Sequence, residues 1–255
     1  MAGRIAYLGN IVTDGLILDL DAAKQESFNL TGSTWRDLSG RQNNGGLVSA
    51  SFTTGSGPET AISLTTGSMY VAAVTTSAAL INNQFAWDPS GSLGSGAITV
   101  EMWFKSSQNI SGRLLSKPWN GSGEYNYIVT VTSTSSFQLN CQLASGNFQT
   151  IVNNVPVTDG NWKQVILWIN PTQIGYYVNG TQYSGSFTHN LSGSIPSLGN
   201  ANLALALMTL YPYPVGANPI FSLTGSLANV KFYNRQLTQA EVVQNFNAYR
   251  TRYGI

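Results

Sequence analysis

Between Gly225 and Ile255 the hydrophobic positions change period. Leu227, Asn229, Lys231 and Tyr233 alternate with Ala228, Val230, Phe232 and Asn234, the period-2 pattern of a strand with one face against a core. Thr238 then stands where a helix N-cap belongs, and Glu241 three residues on can return a bond to the cap's own amide. Leu237 and Val242 occupy the two positions of a hydrophobic staple. Val242, Val243, Phe246 and Tyr249 recur at helical spacing, with Gly254 placed to stop the helix. A helix this short is marginal in water unless it packs, so it is expected to close the core through Val243 and Phe246.

From Gly15 onward the chain alternates short β patterns with Gly, Ser, Asn and Thr turns, which predicts an all-β sandwich or jelly roll of antiparallel strands. Ile98, Val100, Met102 and Phe104 form one face of a strand and Thr99, Glu101, Trp103 and Lys105 the other. Val165, Leu167 and Ile169 alternate with Ile166 and Trp168, apolar on both faces, as in a central strand. Asn179-Gly180 is a type I′ hairpin signal, since both residues tolerate positive φ. Residues 1–14 show no periodicity and read as an N-terminal arm leaving the sandwich for an assembly contact, with residues 15–255 as one domain. Residues 82–97, 117–124 and 209–219 read as long loops, the places where binding usually lives on a rigid scaffold.

Two terminal stretches, GLILDLDAAKQESFNLTGSTWRDLSGRQNNG from Gly15 to Gly45 and GSLANVKFYNRQLTQAEVVQNFN from Gly225, resemble a known family. TVEMWFKS (Thr99 to Ser106) and NWKQVILWINPTQIGYYVNG (Asn161 to Gly180) fit the same pattern. The chain resembles a concanavalin A-like, laminin-G-like jelly roll, more narrowly the version found in structural proteins of tailed bacteriophages. The resemblance implies two antiparallel sheets with a short C-terminal helix. It also implies a virion protein with other capsid or tail proteins as partners, as a homo-oligomer or held in a lattice.

Charged residues make up only 9% of the chain, against roughly 25% in average soluble proteins. A polar but weakly ionic surface suits protein contacts, from which Lys, Glu and Asp are depleted. The 12 basic residues are spread from Arg4 to Arg252 at a net charge of +1, so no stripe exists to neutralise a phosphate backbone, and nucleic acid is not an expected partner. Lys231, Arg235, Arg250 and Arg252 read as solvated faces. Cys141 shares a strand face with Phe137, Leu139 and Leu143 and reads as a buried small hydrophobe. The longest apolar run, Leu203 to Leu210, is far short of the ~20 residues of a membrane span. No apolar signal-peptide region follows Arg4, so synthesis in a host cytoplasm, assembly into a virion and no membrane partner are expected.

Relatives that hydrolyse glycans place two carboxylates about 5–5.5 Å apart along one strand. Here the corresponding strand holds Glu101 alone, with Trp103 and Ser106 where a partner would stand. Asp19 and Asp21 share a strand face and could share a proton or help hold a hard cation, although the alternative for Asp21 is a turn cap. Asp37 reads as an Asx-type turn with Gly40 supplying left-handed backbone. Calcium needs about six to eight oxygen ligands, and no such set can be assembled, so no metal or other cofactor is predicted. His189 is the only histidine, which leaves no nucleophilic triad, and no phosphate-binding glycine motif occurs. Five loop aromatics, Trp87, Trp119, Tyr125, Tyr211 and Tyr213, are the candidate contacts for a flat sugar face or a protein partner. Trp103 and Trp162 read as core. The expectation is a non-enzymatic virion structural protein, decorating a capsid or attached to a tail or fibre. The alternative is a carbohydrate-binding adhesin for host surface glycans, and a third class, polysaccharide hydrolase, lacks paired carboxylates.

Overall fold

A computed structural model describes residues 10–48, 51–53, 59–64, 68–71, 85–88, 95–107, 112–118, 125–133, 136–143, 146–153, 155, 157–183, 205–207 and 223–255. Strands numbered in chain order build two antiparallel sheets. The first runs β14 (Thr181–Tyr183), β13 (Ile174–Val178), β12 (Lys163–Ile169), β7 (Ile98–Lys105), β16 (Gly225–Tyr233), β5 (Ala61–Leu64) and β4 (Ser51–Thr53), and β1 (Leu16–Asp21) also pairs with β16. The second runs β11 (Gly146–Asn153), β10 (Ser136–Leu143), β9 (Tyr125–Ser133), β8 (Gly112–Pro118), β15 (Leu205–Leu207), β6 (Ser68–Val71), β3 (Gly45–Val48) and β2 (Thr34–Trp35).

The main core lies between the sheets. Val100, Met102, Phe104, Val165, Leu167, Val230 and Phe232 from the first sheet meet Leu115, Val129, Val131, Phe137, Leu139 and Cys141 from the second, so the alternation of β7 and the burial of Cys141 follow the sequence expectation. The hairpin at Asn179-Gly180 has φ of 50° and 75°, the left-handed pair a type I′ turn requires. At Gly175 an added Cβ would lie 2.3 Å from the Trp168 indole, its cross-strand partner. The missing side chain lets the ring lie flat across the sheet.

One expectation about β16 changes. A bulge between Leu227 and Asn229 inserts Ala228 as an extra residue against β7, which turns Leu227 inward beside Val230 and Phe232. From Leu227 to Tyr233 both faces of the strand are buried, because the outer face is covered there by the terminal helix. This helix, α1 (Gln239–Tyr249), begins at Thr238 with both bonds of the capping box formed and continues as a short 3₁₀ turn, Arg250–Tyr253, closed by Gly254 at φ 71°. Leu237 and Val242 are buried together as a staple. The buried residues of α1 are Val242, Asn245, Ala248 and Tyr249. Val243 is 37% exposed, so the expected closure through Val243 is corrected to Val242. Phe246 is half-buried, its ring parallel to that of Trp103 at 6.0 Å.

Residues 10–14 also depart from the expected arm. The Val12 amide donates to Asn245 Oδ1 at 2.9 Å, Gln244 Nε2 donates to the Asn10 carbonyl at 2.8 Å, and Tyr233 donates to the Val12 carbonyl. Val12 and Ile11 pack under the helix. The folded unit therefore extends back to at least Asn10, and residues 1–9 lie outside the described residues.

Candidate functional site

The one carboxylate on the β7 strand, Glu101, is fully buried between the first sheet and α1. Its Oε1 accepts from Gln164 Nε2 at 2.9 Å and Trp103 Nε1 at 3.2 Å, and its Oε2 accepts from Asn245 Nδ2 at 2.7 Å. Lys231 sits opposite Glu101 across the β7–β16 pair. Burial alone would lower the Lys231 pKa, but Glu101 and Asp19 overcome it and hold the ammonium above its ordinary value. The ammonium also lies over the Tyr249 ring, 4.1 Å from its centroid.

Asp19 and Asp21 belong to this same covered layer. Asp21 pairs with Arg252 at 2.8 Å and accepts the Ala23 amide at 3.0 Å, the turn-capping role. Asp19 lies 3.8 Å from Lys231, and burial, opposed by Lys231, raises its carboxyl pKa. Asp37 accepts from the amides of Asp19, Ser39 and Asn43, and Gly40 has φ 82°, as the Asx-type turn predicts. Lys231 and Arg252 are thus not solvated cations. They are buried counter-charges for Asp19, Asp21 and Glu101, which are themselves buried. No group of three or more His, Cys, Asp or Glu side chains able to hold a metal occurs among the described residues.

The open chemistry lies at the end of the first sheet that α1 leaves bare. Ser63, Ser226 and Lys105 are cross-strand neighbours on β5, β16 and β7, and Trp162 precedes β12 on the far side of Lys105. Two adjoining clefts, of about 430 and 330 Å³, open there and share Lys105 and Gly160, each within the usual size of a ligand site. The larger is walled by Glu59, Asn161, Trp162, Lys163, Asn179 and the turn from Tyr253 to Ile255, the smaller by Ser63, Ser106, Ser107 and Thr224 to Ser226. Lys105 is exposed, with its ammonium 5.9 Å from the centroid of the Trp162 ring, which packs against Tyr253 at 4.8 Å. Lys163 is tied to Asp159 at 2.8 Å. Burial acts to raise the Asp159 carboxyl, but bonds from Lys163 and Asn161 prevail and lower it. The larger cleft offers the Asn161 carboxamide and the Trp162 edge, the smaller offers Ser63 and Ser226, whose hydroxyls bond each other at 3.3 Å, and the Lys105 ammonium is common to both, a set suited to hydrogen-bonding a polyol.

Of the five sequence candidates, Trp87 alone has its side chain among the described residues. Trp87 is fully buried in the main core, with its indole N–H donating to the Gly96 carbonyl at 3.3 Å, so its reading as a loop contact is corrected. The Asn126 carboxamide bonds both the amide and the carbonyl of Trp87, and Tyr127 donates to the Phe85 carbonyl. A segment that reads as loop is buried because distant side chains satisfy its backbone. Tyr125 lies in β9, while its side chain, like Trp119, Tyr211, Tyr213 and His189, falls outside the described residues. Sequence reasoning missed Lys105, Asn161, Ser63 and Ser226. Trp103 and Trp162 are packed in the cluster beneath the terminal helix, as expected, though Trp162 also edges the cleft.

No curated protein matches the chain. Among solved structures, the binding domain of Paraclostridial Mosquitocidal Protein 1 is similar with a TM-score of 0.63 at 16% identity, over 93% of this chain and 53% of that one. The binding domain of botulinum neurotoxin DC in complex with SialylT gives 0.64 at 12% identity, over 92% and 52%. The Trypanosoma rangeli sialidase in complex with the inhibitor DANA gives 0.60 at 15% identity, over 92% and 33%. The chain therefore spans about half the length of the toxin binding domains and a third of the sialidase, and at these identities the likeness is one of fold. Residues 81–243 match the family model of the concanavalin A-like lectin/glucanases superfamily, and with the two-sheet jelly roll described above this chain belongs to that superfamily.

Proposed function

We propose that this chain is a carbohydrate-binding module that acts without catalysis, holding a glycan in the bare cleft at the end of the first sheet. The observation that carries the reading is the pair of adjoining clefts that meet at Lys105, with Asn161 and the Trp162 edge in one and Ser63 and Ser226 in the other. The fold shared with two toxin binding domains, one of them in complex with SialylT, supports it. The non-catalytic part rests on Glu101, whose two carboxylate oxygens are occupied by three donors beneath α1. The test is a panel of soluble polysaccharides and immobilised glycans, followed by calorimetry on the strongest binder. Lys105→Ala and Asn161→Ala should each weaken binding about tenfold, or ~1.4 kcal/mol, with unchanged melting. Silence across the panel at millimolar ligand, or variants that bind like the parent, would refute the reading.

A second reading places the same module on a tailed-bacteriophage particle, contacting capsid or tail proteins. The two terminal motifs support it. Deleting residues 2–9 should leave the melting temperature intact and reduce the amount retained on washed particles, measured by mass spectrometry. Absence of the full chain from such particles would remove this reading and leave carbohydrate binding untouched.

A further inference from the structure

Resting on the carbohydrate-binding reading, we propose that the groove takes an internal stretch of a glycan chain, with two subsites that meet at Lys105 and Gly160. The two clefts lie side by side across the strand ends, one over β12 and β7 and the other over β7, β16 and β5. From β12 to β5 there are three strand spacings, about 14 Å in all, which is longer than one pyranose ring. The chemistry differs on the two sides. Toward β12 the ligand meets the Asn161 carboxamide and the edge of Trp162, and toward β5 it meets the hydroxyls of Ser63 and Ser226. Hydroxyls donate and accept at once and so match sugar hydroxyls in either sense.

The junction is kept open by backbone. Gly160 has φ +81°, and a Cβ built there would meet no heavy atom closer than Ser107 Cβ at 4.0 Å, so no side chain divides the two clefts at this point. Gly225 brings β16 against β7 so tightly that a Cβ would lie 2.3 Å from the Lys105 carbonyl. Lys105 then stands between the subsites, able to donate to ring or linkage oxygens on both sides with its three N–H groups.

The test uses the full chain and calorimetry with laminari-oligosaccharides and neoagaro-oligosaccharides from one to six units, alongside sialyllactose as a short, terminal-sugar probe. Affinity should rise at least about tenfold from the shortest to the four-unit member of the ladder that binds, and then level off. Gly160→Asn keeps a residue that tolerates left-handed backbone while placing a side chain at the junction. It should reduce long oligomers to the affinity of short ones. Ser107→Tyr, at an exposed rim position, should do the same by filling the smaller cleft, and it covers the case in which Gly160→Asn fails to fold. A flat ladder, tightest binding of sialyllactose, or a ladder unchanged in a folded variant would overturn the two-subsite proposal while leaving carbohydrate binding in place. No binding of any probe or of the parent polysaccharides would overturn both.

Discussion

Glu101→Gln separates a structural carboxylate from a catalytic one. The substitution preserves shape and one oxygen, so Trp103 Nε1 and Gln164 Nε2 can still donate to Oε1. The other oxygen becomes an NH₂ facing Asn245 Nδ2, where the present bond is 2.7 Å, and two donors then oppose each other. Asn245 cannot rotate its carboxamide to escape, because its Oδ1 already accepts the Val12 amide at 2.9 Å. An orphaned buried donor costs about 1–3 kcal/mol, and removing a charge that faces a buried cation costs about 3–5 kcal/mol. Because these two costs overlap at one site, the expected loss is about 3 kcal/mol, within a range of about 2–5 kcal/mol. For a chain of this size that lowers the melting temperature by about 6–12 °C. Urea titration of parent and variant, read by tryptophan fluorescence and by circular dichroism, measures it. A loss under about 1 kcal/mol would refute the argument. Release of reducing ends from β-glucan or agar by the parent, abolished in the variant, would instead restore a catalytic role.

The helix supplies further outcomes. Thr238→Ala should cost about 1 kcal/mol by removing the cap. Val242→Ala should cost about 2 kcal/mol in urea titration, whereas Val243→Ala should stay within about 0.5 kcal/mol; equal losses would contradict the observed helix rotation. Glu241 titrates at about 2 because the Arg235 guanidinium bonds it first and the Thr238 cap second. Its folded value is depressed, so its stabilisation is present above the unfolded value near 4.3 and fades as pH falls toward 2. Glu241→Gln should therefore flatten the acid limb of the urea midpoint. Asp19 works in the opposite sense. Its raised carboxyl favours the folded state most below the unfolded value near 3.9, an advantage lost as pH rises through the folded value. Asp19→Asn should remove that decline, read as a flatter urea midpoint as pH rises above the unfolded value.

Local signals were legible because their partners lie within a few residues. The Thr238–Glu241 cap, the Leu237–Val242 staple, the Asn179-Gly180 turn and the alternation of β7 all appear as the sequence predicts. Periodicity identifies a face but not what covers it. For that reason Lys231 and Arg252 read as solvated, although α1 and its 3₁₀ extension bury both against Asp19, Asp21 and Glu101. Helix rotation escaped for a related reason. Val242 and Val243 are equally apolar, and only the buried Asn245, whose role depends on Val12 and Glu101, decides which of them faces inward. A polar residue on the packed side of a helix weakens the periodic signal just where it carries the most specific bonds.

The cleft was illegible for a different reason. Ser63, Lys105, Trp162 and Ser226 are far apart in sequence and meet only through the strand order β12, β7, β16, β5. Each taken alone is an ordinary residue near a strand end. Aromatic residues in apparent loops drew attention instead, and Trp87 shows how that inference goes wrong: a loop is exposed only if its backbone needs water, and Asn126 supplies both bonds from within the core. The same logic explains why the open chemistry lies where it does. The outer face of the first sheet carries Glu101, Trp103 and Lys231 under the helix and Lys105 and Ser226 beyond it. The helix continues as a 3₁₀ turn that stops at the left-handed Gly254. The end of that turn therefore separates side chains packed beneath the helix from those that line the clefts. Tyr253 stands on this boundary, stacked on Trp103 at 4.4 Å and packed against Trp162 at 4.8 Å. Changes at Tyr253 should move stability and cleft shape together, whereas changes at Lys105 should move binding alone.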